Sequence, residues 1–292
     1  MGRTWSDRYY GNDFDSRIYY QDLTMGIHDY VLTLILRVFL RQANPPVGQT
    51  QFQAIDTDGN IAPGIQWPLA EWEAFRREFK RQAYMVFNNA LMLIPPKDYD
   101  GFTDPLGNRR NVRCWLEIDL VEQAAENVHV VDVVRLAHPG DWLRANAGLP
   151  GRPGLFTSDN TKPTHTIGSL PQPIRYRRVH GKMRITGGSS HEGDYVWEQH
   201  ALPHEVGHML GLDHSNEGSA ACKKEPNSAA CYGLFLSDRL NIMGSGDALD
   251  VQNAQPWIKR ITRHAPPTKP AEWTVDFVSS EARTRGLSLR ST

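Results

Sequence analysis

"HEVGHMLGLDHS" occupies His204–Ser215 and places three histidines, a glutamate and two glycines in one short run. Each residue of an α-helix turns the chain by about 100°, so residues four apart share a face. His204 and His208 therefore project together, one turn apart, and two imidazole nitrogens can reach one ion. Glu205 stands next to them without needing to be a ligand. His214 lies six residues past His208, and a continuing helix would carry it about 240° away from that face. The helix must end between them. Gly211 is the place, because glycine accepts the positive φ that terminates a helix. The run reads as two ligands on a helix, a sharp turn, and a third ligand returning from outside.

Three neutral imidazoles leave a fourth position open, which is the arrangement of catalytic zinc rather than structural zinc. Such an ion lowers the pKa of water and polarises a carbonyl group. Glu205 is then placed to take the proton of that water and pass it to a leaving amine. A bare His-Glu-x-x-His arises often by chance, whereas the longer pattern here fixes five positions. Two plainer readings stand beside it: a helix end with incidental histidines, and a zinc site without catalysis. Glu205 weighs against the second.

"HEVGHMLGLDH" resembles the zinc-binding signature HExxHxxGxxH of the metzincin peptidases. The resemblance implies a zinc-dependent endopeptidase with one catalytic Zn2+ held by His204, His208 and His214, and with Glu205 as general base and acid. It also implies a methionine in a tight turn beneath the ion, a role that "NIMGSG" offers to Met243. The implied fold is a metzincin-like α/β (α+β) catalytic domain. It has a twisted mixed sheet with a long helix, then the active-site helix, then a C-terminal helix. Ser215 and "LGLDHS" look most like the matrixin branch, in a bacterial-type form. The chain departs from animal matrixins in lacking a "PRCGxPD" segment, and Ser245 stands where other branches place a tyrosine, so no tyrosine ligand is expected. A pocket wall is expected from Gly244–Gln255.

The rest of the chain fits that order. Residues 1–26 read as an irregular arm whose paired tyrosines (Tyr9, Tyr10, Tyr19, Tyr20) pack on something. Residues 27–265 form the peptidase domain and 266–292 a tail with a short strand at Glu272–Val278. "HDYVLTLILRVFLRQ" (His28–Gln42) reads as a long buried strand. Pro68–Leu93 is the clearest helix, with Trp72, Phe75, Phe79, Ala83, Phe87 and Leu91 at spacings of three and four. Strands follow at Val112–Val121 and Val128–Ala137, then Gly- and Pro-rich loops with one short element near Trp142–Ala147. A hairpin is expected over Ile174–Thr186, turning at His180–Gly181. The motif helix is placed at about Tyr195–Leu212, with Pro203 either at its first position or at a kink. Asp247–His264 reads as the last helix. His200, His180 and His191 are read as solvated. "DTDGN" (Asp56–Asn60) is a turn resembling half a calcium loop, but no glutamate follows at the right place, which leaves calcium unsupported.

Composition narrows partners. Net charge is −1, and hydrophobic residues make up 40% of 292, enough for a sizeable core. Near-neutral charge without a basic cluster excludes a general nucleic-acid binder. "RYRRVHGK" (Arg175–Lys182) is read as a solvated hairpin. The longest apolar run is too short to span a bilayer. No secretory leader is recognisable, so a cytoplasmic protein or one exported by another route is expected, and an exported effector or toxin with an inhibitor or immunity partner is one such reading. Cys222 and Cys231 can pair or remain free thiols, and Cys114 belongs to the core. The expected partner is a protein or peptide substrate. The alternatives are a zinc amidase acting on cell-wall peptides and a zinc-stabilised protein that grips peptides without cutting them.

Overall fold

The computed structural model describes residues 6–9, 11, 14–23, 27–148, 152–170, 174–179, 182–188, 193–224, 230–233 and 236–278. In chain order the first elements are strands β1 (Ser6–Tyr9), β2 (Asp15–Leu23), β3 (Ile27–Ala43), β4 (Gln51–Ile55) and β5 (Ile61–Ile65), then helix α1 (Leu69–Phe87). Strands β6 (Leu91–Ile94), β7 (Val112–Leu120), β8 (His129–Leu136), β9 (Gly154–Thr157), β10 (Thr164–Leu170), β11 (Ile174–Val179), β12 (Lys182–Gly188) and β13 (Gly193–Gln199) follow. The last elements are helices α2 (Ala201–Met209), α3 (Ala220–Lys224), α4 (Leu236–Leu240) and α5 (Gln255–His264), and strand β14 (Thr274–Phe277).

The 17-residue strand β3 organises the sheet. Its run Val31–Leu36 is buried on both faces, which explains why its sequence is continuously apolar rather than alternating. β7 pairs parallel to β3 from Tyr30 to Val38. β2 pairs antiparallel to its first half, and β8 pairs parallel to its last residues, Val38–Ala43. The order across the sheet is β14-β6-β7-β3-β8-β5-β4, with β1 and β9 paired at the sides. The protein is thus a mixed α/β chain with a sheet of mixed strand direction.

Helix α1 buries Trp72, Phe75, Phe79, Ala83 and Phe87, the expected stripe, and packs on β7 and on α2. It stops at Phe87 rather than Leu93. Asn88 turns extended and its Oδ1 accepts the Leu116 N–H at 2.6 Å, while Asn89 takes a left-handed φ of 52°. Asparagine tolerates that conformation and competes for backbone bonds, so the pair breaks the helix and Leu91 starts a strand.

Other expectations change as well. The irregular arm over 1–26 contains β1 and β2, and β2 lies along β3 for nine residue pairs. Ile18 is fully buried, the buried Asp15 pairs with Arg37, and Ser16 Oγ meets His264 Nε2 at 2.9 Å. The tail is also tied in: β14 pairs with β6, and Trp273 is buried beside Phe102. Tyr195–Gln199 is strand, not helix. It pairs with β10, and its Tyr-Val-Trp run suits a pleated ladder better than a helix. The short element near Trp142–Ala147 is a single bridge from Asn146 to Leu155 of β9. The last helix begins only at Gln255, with Pro256 in its first turn, after a 3-10 turn capped by Asp250. β11 and β12 form the expected hairpin; its turn, His180–Gly181, lies outside the described residues, as does His191.

Deleting residues 1–26 would strip β3 of a neighbour and expose Ile18's site. Such a chain is expected to melt at least about 10 °C lower, or without cooperativity, when followed by circular dichroism. A truncated chain that melts like the full one would make the segment an appendage.

Candidate metal centre

Helix α2 starts from His200, whose carbonyl accepts the His204 N–H at 3.3 Å. Pro203 is the third residue of the helix. Its missing N–H falls among the first-turn donors that have no helical partner anyway, so it neither starts nor kinks the helix. The other end closes as a two-bond cap. The Leu212 N–H reaches the Gly207 carbonyl at 3.0 Å and the Gly211 N–H reaches that of His208 at 2.9 Å, with Gly211 at φ 82°. That turn brings His214 back to His204 and His208. Their ligand nitrogens all lie within 4.8 Å of one another.

Each ring is fixed by its far nitrogen. His204 Nδ1 bonds the Ile242 carbonyl at 2.5 Å, His208 Nδ1 the Leu212 carbonyl at 2.8 Å, and His214 Nδ1 the Glu217 carboxylate at 3.0 Å. All three oxygens only accept, so all three Nδ1 atoms carry the proton. The three Nε2 atoms are then lone-pair donors gathered in one small volume. The Nε2 atoms of His208 and His214 are 3.2 Å apart. Two lone pairs facing at that distance repel unless a cation sits between them. Nitrogens bound about 2.0–2.1 Å from one tetrahedral ion stand about 3.3 Å apart. The residues present therefore fit Zn2+.

The electrostatics agree. Burial, then the neighbouring His208, pushes the His204 pKa down to about 3. Burial, then His214, pushes His208 to about 4. Both are neutral at pH 7, which is the ligating form. Glu205 moves the other way: burial raises its carboxyl to about 7, against a hydrogen bond from the Ala147 N–H and the charge of Arg144.

Met243 is fully buried in the turn beneath the histidines, and the turn binds the site at two points. Ile242 holds His204, as above, and the Met243 carbonyl accepts the Ser215 N–H at 3.0 Å. Met243's own N–H goes to Asn241 Oδ1 at 2.8 Å, and Asn241 is tied in turn to Asn253 at 3.0 Å. Of the expected pocket wall, Asp247, Ala248 and Leu249 border a cavity of about 440 Å3 that Met85, His200 and Pro203 also line.

Three groups at the site had no local signal in the sequence. Tyr232 lays its ring against His214 at 4.2 Å and His204 at 5.9 Å. Arg144 donates to the Tyr232 hydroxyl at 2.9 Å. Ala147 reaches Glu205 from the segment beside β9. Glu217 was nearer to hand, three residues past His214.

Asp56–Asn60 forms the expected turn. Asp56 Oδ1 accepts the N–H groups of Asp58 and Asn60, both at 2.9 Å. Oδ2 accepts Asn60 Nδ2 and the Arg144 N–H, both at 2.8 Å. Four N–H donors fill the carboxylate and leave no lone pair for a cation. Asp104–Asn108 repeats the turn through bonds from the N–H groups of Leu106 and Asn108 and from Asn108 Nδ2. Glu217, Cys222 and Cys231 also cluster, but the two sulfurs form a disulfide and offer no thiolate.

No protein-family model matches the chain, and no curated protein and no solved structure matches it. Among the described residues, no helix is long and apolar enough to cross a membrane.

Glu205's raised pKa sets a stability trend. Between about 4.5 and about 7, the unfolded chain releases this proton while the folded chain holds it, so rising pH favours unfolding. Metal-free Glu205→Gln should therefore be more stable than metal-free wild type at pH 8, by up to roughly 3 kcal/mol. The gap should close as pH falls toward 4.5. Denaturant titrations at the two pH values check this; equal stabilities at pH 8 would contradict it.

Proposed function

We propose that the protein is a zinc-dependent endopeptidase of metzincin type. The observation that carries the reading is the convergence of three histidine ligand nitrogens within 4.8 Å of one another, two of them 3.2 Å apart, with the buried Glu205 carboxyl on the same helix. Bound there, zinc would acidify water and polarise the scissile carbonyl. The chain's own part is to move protons. Glu205 is a carboxyl beside the ion's position, a group that can both accept and give a proton. It takes one from the attacking water and delivers it to the amine nitrogen as the C–N bond breaks. The bond from the Ala147 N–H holds its carboxylate in place.

The neighbouring segment favours an extended peptide as substrate. Asn146 exchanges both backbone bonds with Leu155 of β9, at 3.0 and 2.9 Å. The bridge is a single residue pair, and the N–H of Ala147 next to it meets Glu205. A substrate strand could add to this edge and cross the site.

The test is zinc content together with cleavage of casein and of a mixed peptide library, for wild type and Glu205→Gln. One zinc in each, with cleavage lost by at least about 100-fold in the variant and on chelation, is the expected result. Zinc in both and no cleavage by wild type would overturn the peptidase reading, as would full activity in the variant.

A further inference from the structure

We propose that Tyr232 is a further catalytic residue, donating a hydrogen bond to the oxygen that gains charge during peptide hydrolysis, with Arg144 as the positioning residue that aims it. The proposal rests on the peptidase reading of the histidine site.

Placement comes first. The Tyr232 ring lies against two of the three histidines, 4.2 Å from the His214 ring and 5.9 Å from the His204 ring, which puts this side chain beside the space the three histidines enclose.

The direction of the phenolic proton follows from valence. A guanidinium has donors and no acceptor, so in the 2.9 Å contact Arg144 Nη2 donates and the Tyr232 oxygen accepts. The tyrosine proton is not used in that bond, and no acceptor for it occurs among the described residues. It is left to be given away. The neighbouring positive charge makes the hydroxyl a stronger donor.

Both partners are held rigidly. Arg144 is pinned by its backbone N–H to Asp56 Oδ2 at 2.8 Å and by Nη1 to Asp58 Oδ2 at 2.9 Å. The "DTDGN" turn is thus a socket for this arginine. Tyr232 follows the disulfide-bonded Cys231. Asn216, two residues past the third histidine, clasps that segment: its Nδ2 bonds the Ala230 carbonyl at 2.7 Å and its N–H the Cys231 carbonyl at 2.9 Å. A donor fixed before the reaction is the condition under which such a bond favours the transition state over the ground state. The step transfers no atom: the phenol keeps its proton while the carbonyl oxygen gains and then loses negative charge.

The test compares wild type, Tyr232→Phe and Arg144→Met, all zinc-loaded, on casein-derived peptides. Removing the hydroxyl should lower kcat by about 100-fold or more, with KM within about twofold and zinc content unchanged. If the ring merely packs on His214, Tyr232→Phe keeps the packing and kcat stays near wild type, which overturns the proposal. The second readout is independent of turnover. The phenolate absorbance of wild type minus that of Tyr232→Phe isolates the Tyr232 titration, and Arg144→Met should shift it to higher pH; no shift would remove Arg144 from its role. If wild type binds zinc but cuts no peptide, the peptidase reading falls and takes this proposal with it. An active wild type with an equally active Tyr232→Phe removes this proposal alone.

Discussion

Three hydrogen bonds on the far sides of three imidazoles govern the site. Each joins an Nδ1–H to an oxygen that can only accept: the carbonyl of Ile242, the carbonyl of Leu212 and the carboxylate of Glu217. Together they force three lone pairs into one small volume. Burial keeps His204 and His208 neutral, so the repulsion is not relieved by taking up protons at pH 7. A cation is the natural partner of that arrangement. Outer bonds of this kind set ring orientation and ligand basicity, and metal affinity depends on them almost as much as on the ligands.

Much of the surrounding fold serves those three bonds. The cap at Gly211 ends α2 where the third ligand must return. It also supplies the Leu212 carbonyl that holds His208. The turn around Met243 supplies the Ile242 carbonyl and anchors Ser215, next to His214. Behind them α1 packs α2 onto the sheet, and the buried Phe79 and Phe87 belong to the same core as Leu202 and Val206. Close placement of side chains to within fractions of an ångström is what a metal site requires, and a short helix clamped from both ends supplies that rigidity.

What could be read in advance divides along a physical line. The histidine motif, Gly211 and β3 are local patterns of period or spacing, and the structure places them where those patterns put them. The stop of α1 at Phe87 was harder, because it depends on Asn88 bonding Leu116, far along the chain. The segment before α2 misled for a related reason. Tyr195–Gln199 adjoins a helix motif in sequence, but its pairing with β10 decides its conformation. That the "DTDGN" turn holds Arg144 was not legible, because the two lie 88 residues apart in the chain. Tyr232 carried no signal at all, since its position depends on a disulfide, on Asn216 and on Arg144 together. Pairings distant in sequence are what a single chain does not disclose.

The most direct test of the metal centre is zinc-edge X-ray absorption on the protein loaded with one equivalent of Zn2+. The expected result is a shell of four light ligands at about 2.0–2.1 Å with the outer-shell scattering of three imidazoles. Replacing His214 with Ala should remove one imidazole from that shell. A shell containing sulfur at about 2.3 Å would place the ion at the cysteines instead, and a shell without imidazole scattering would show that the three histidines do not hold it.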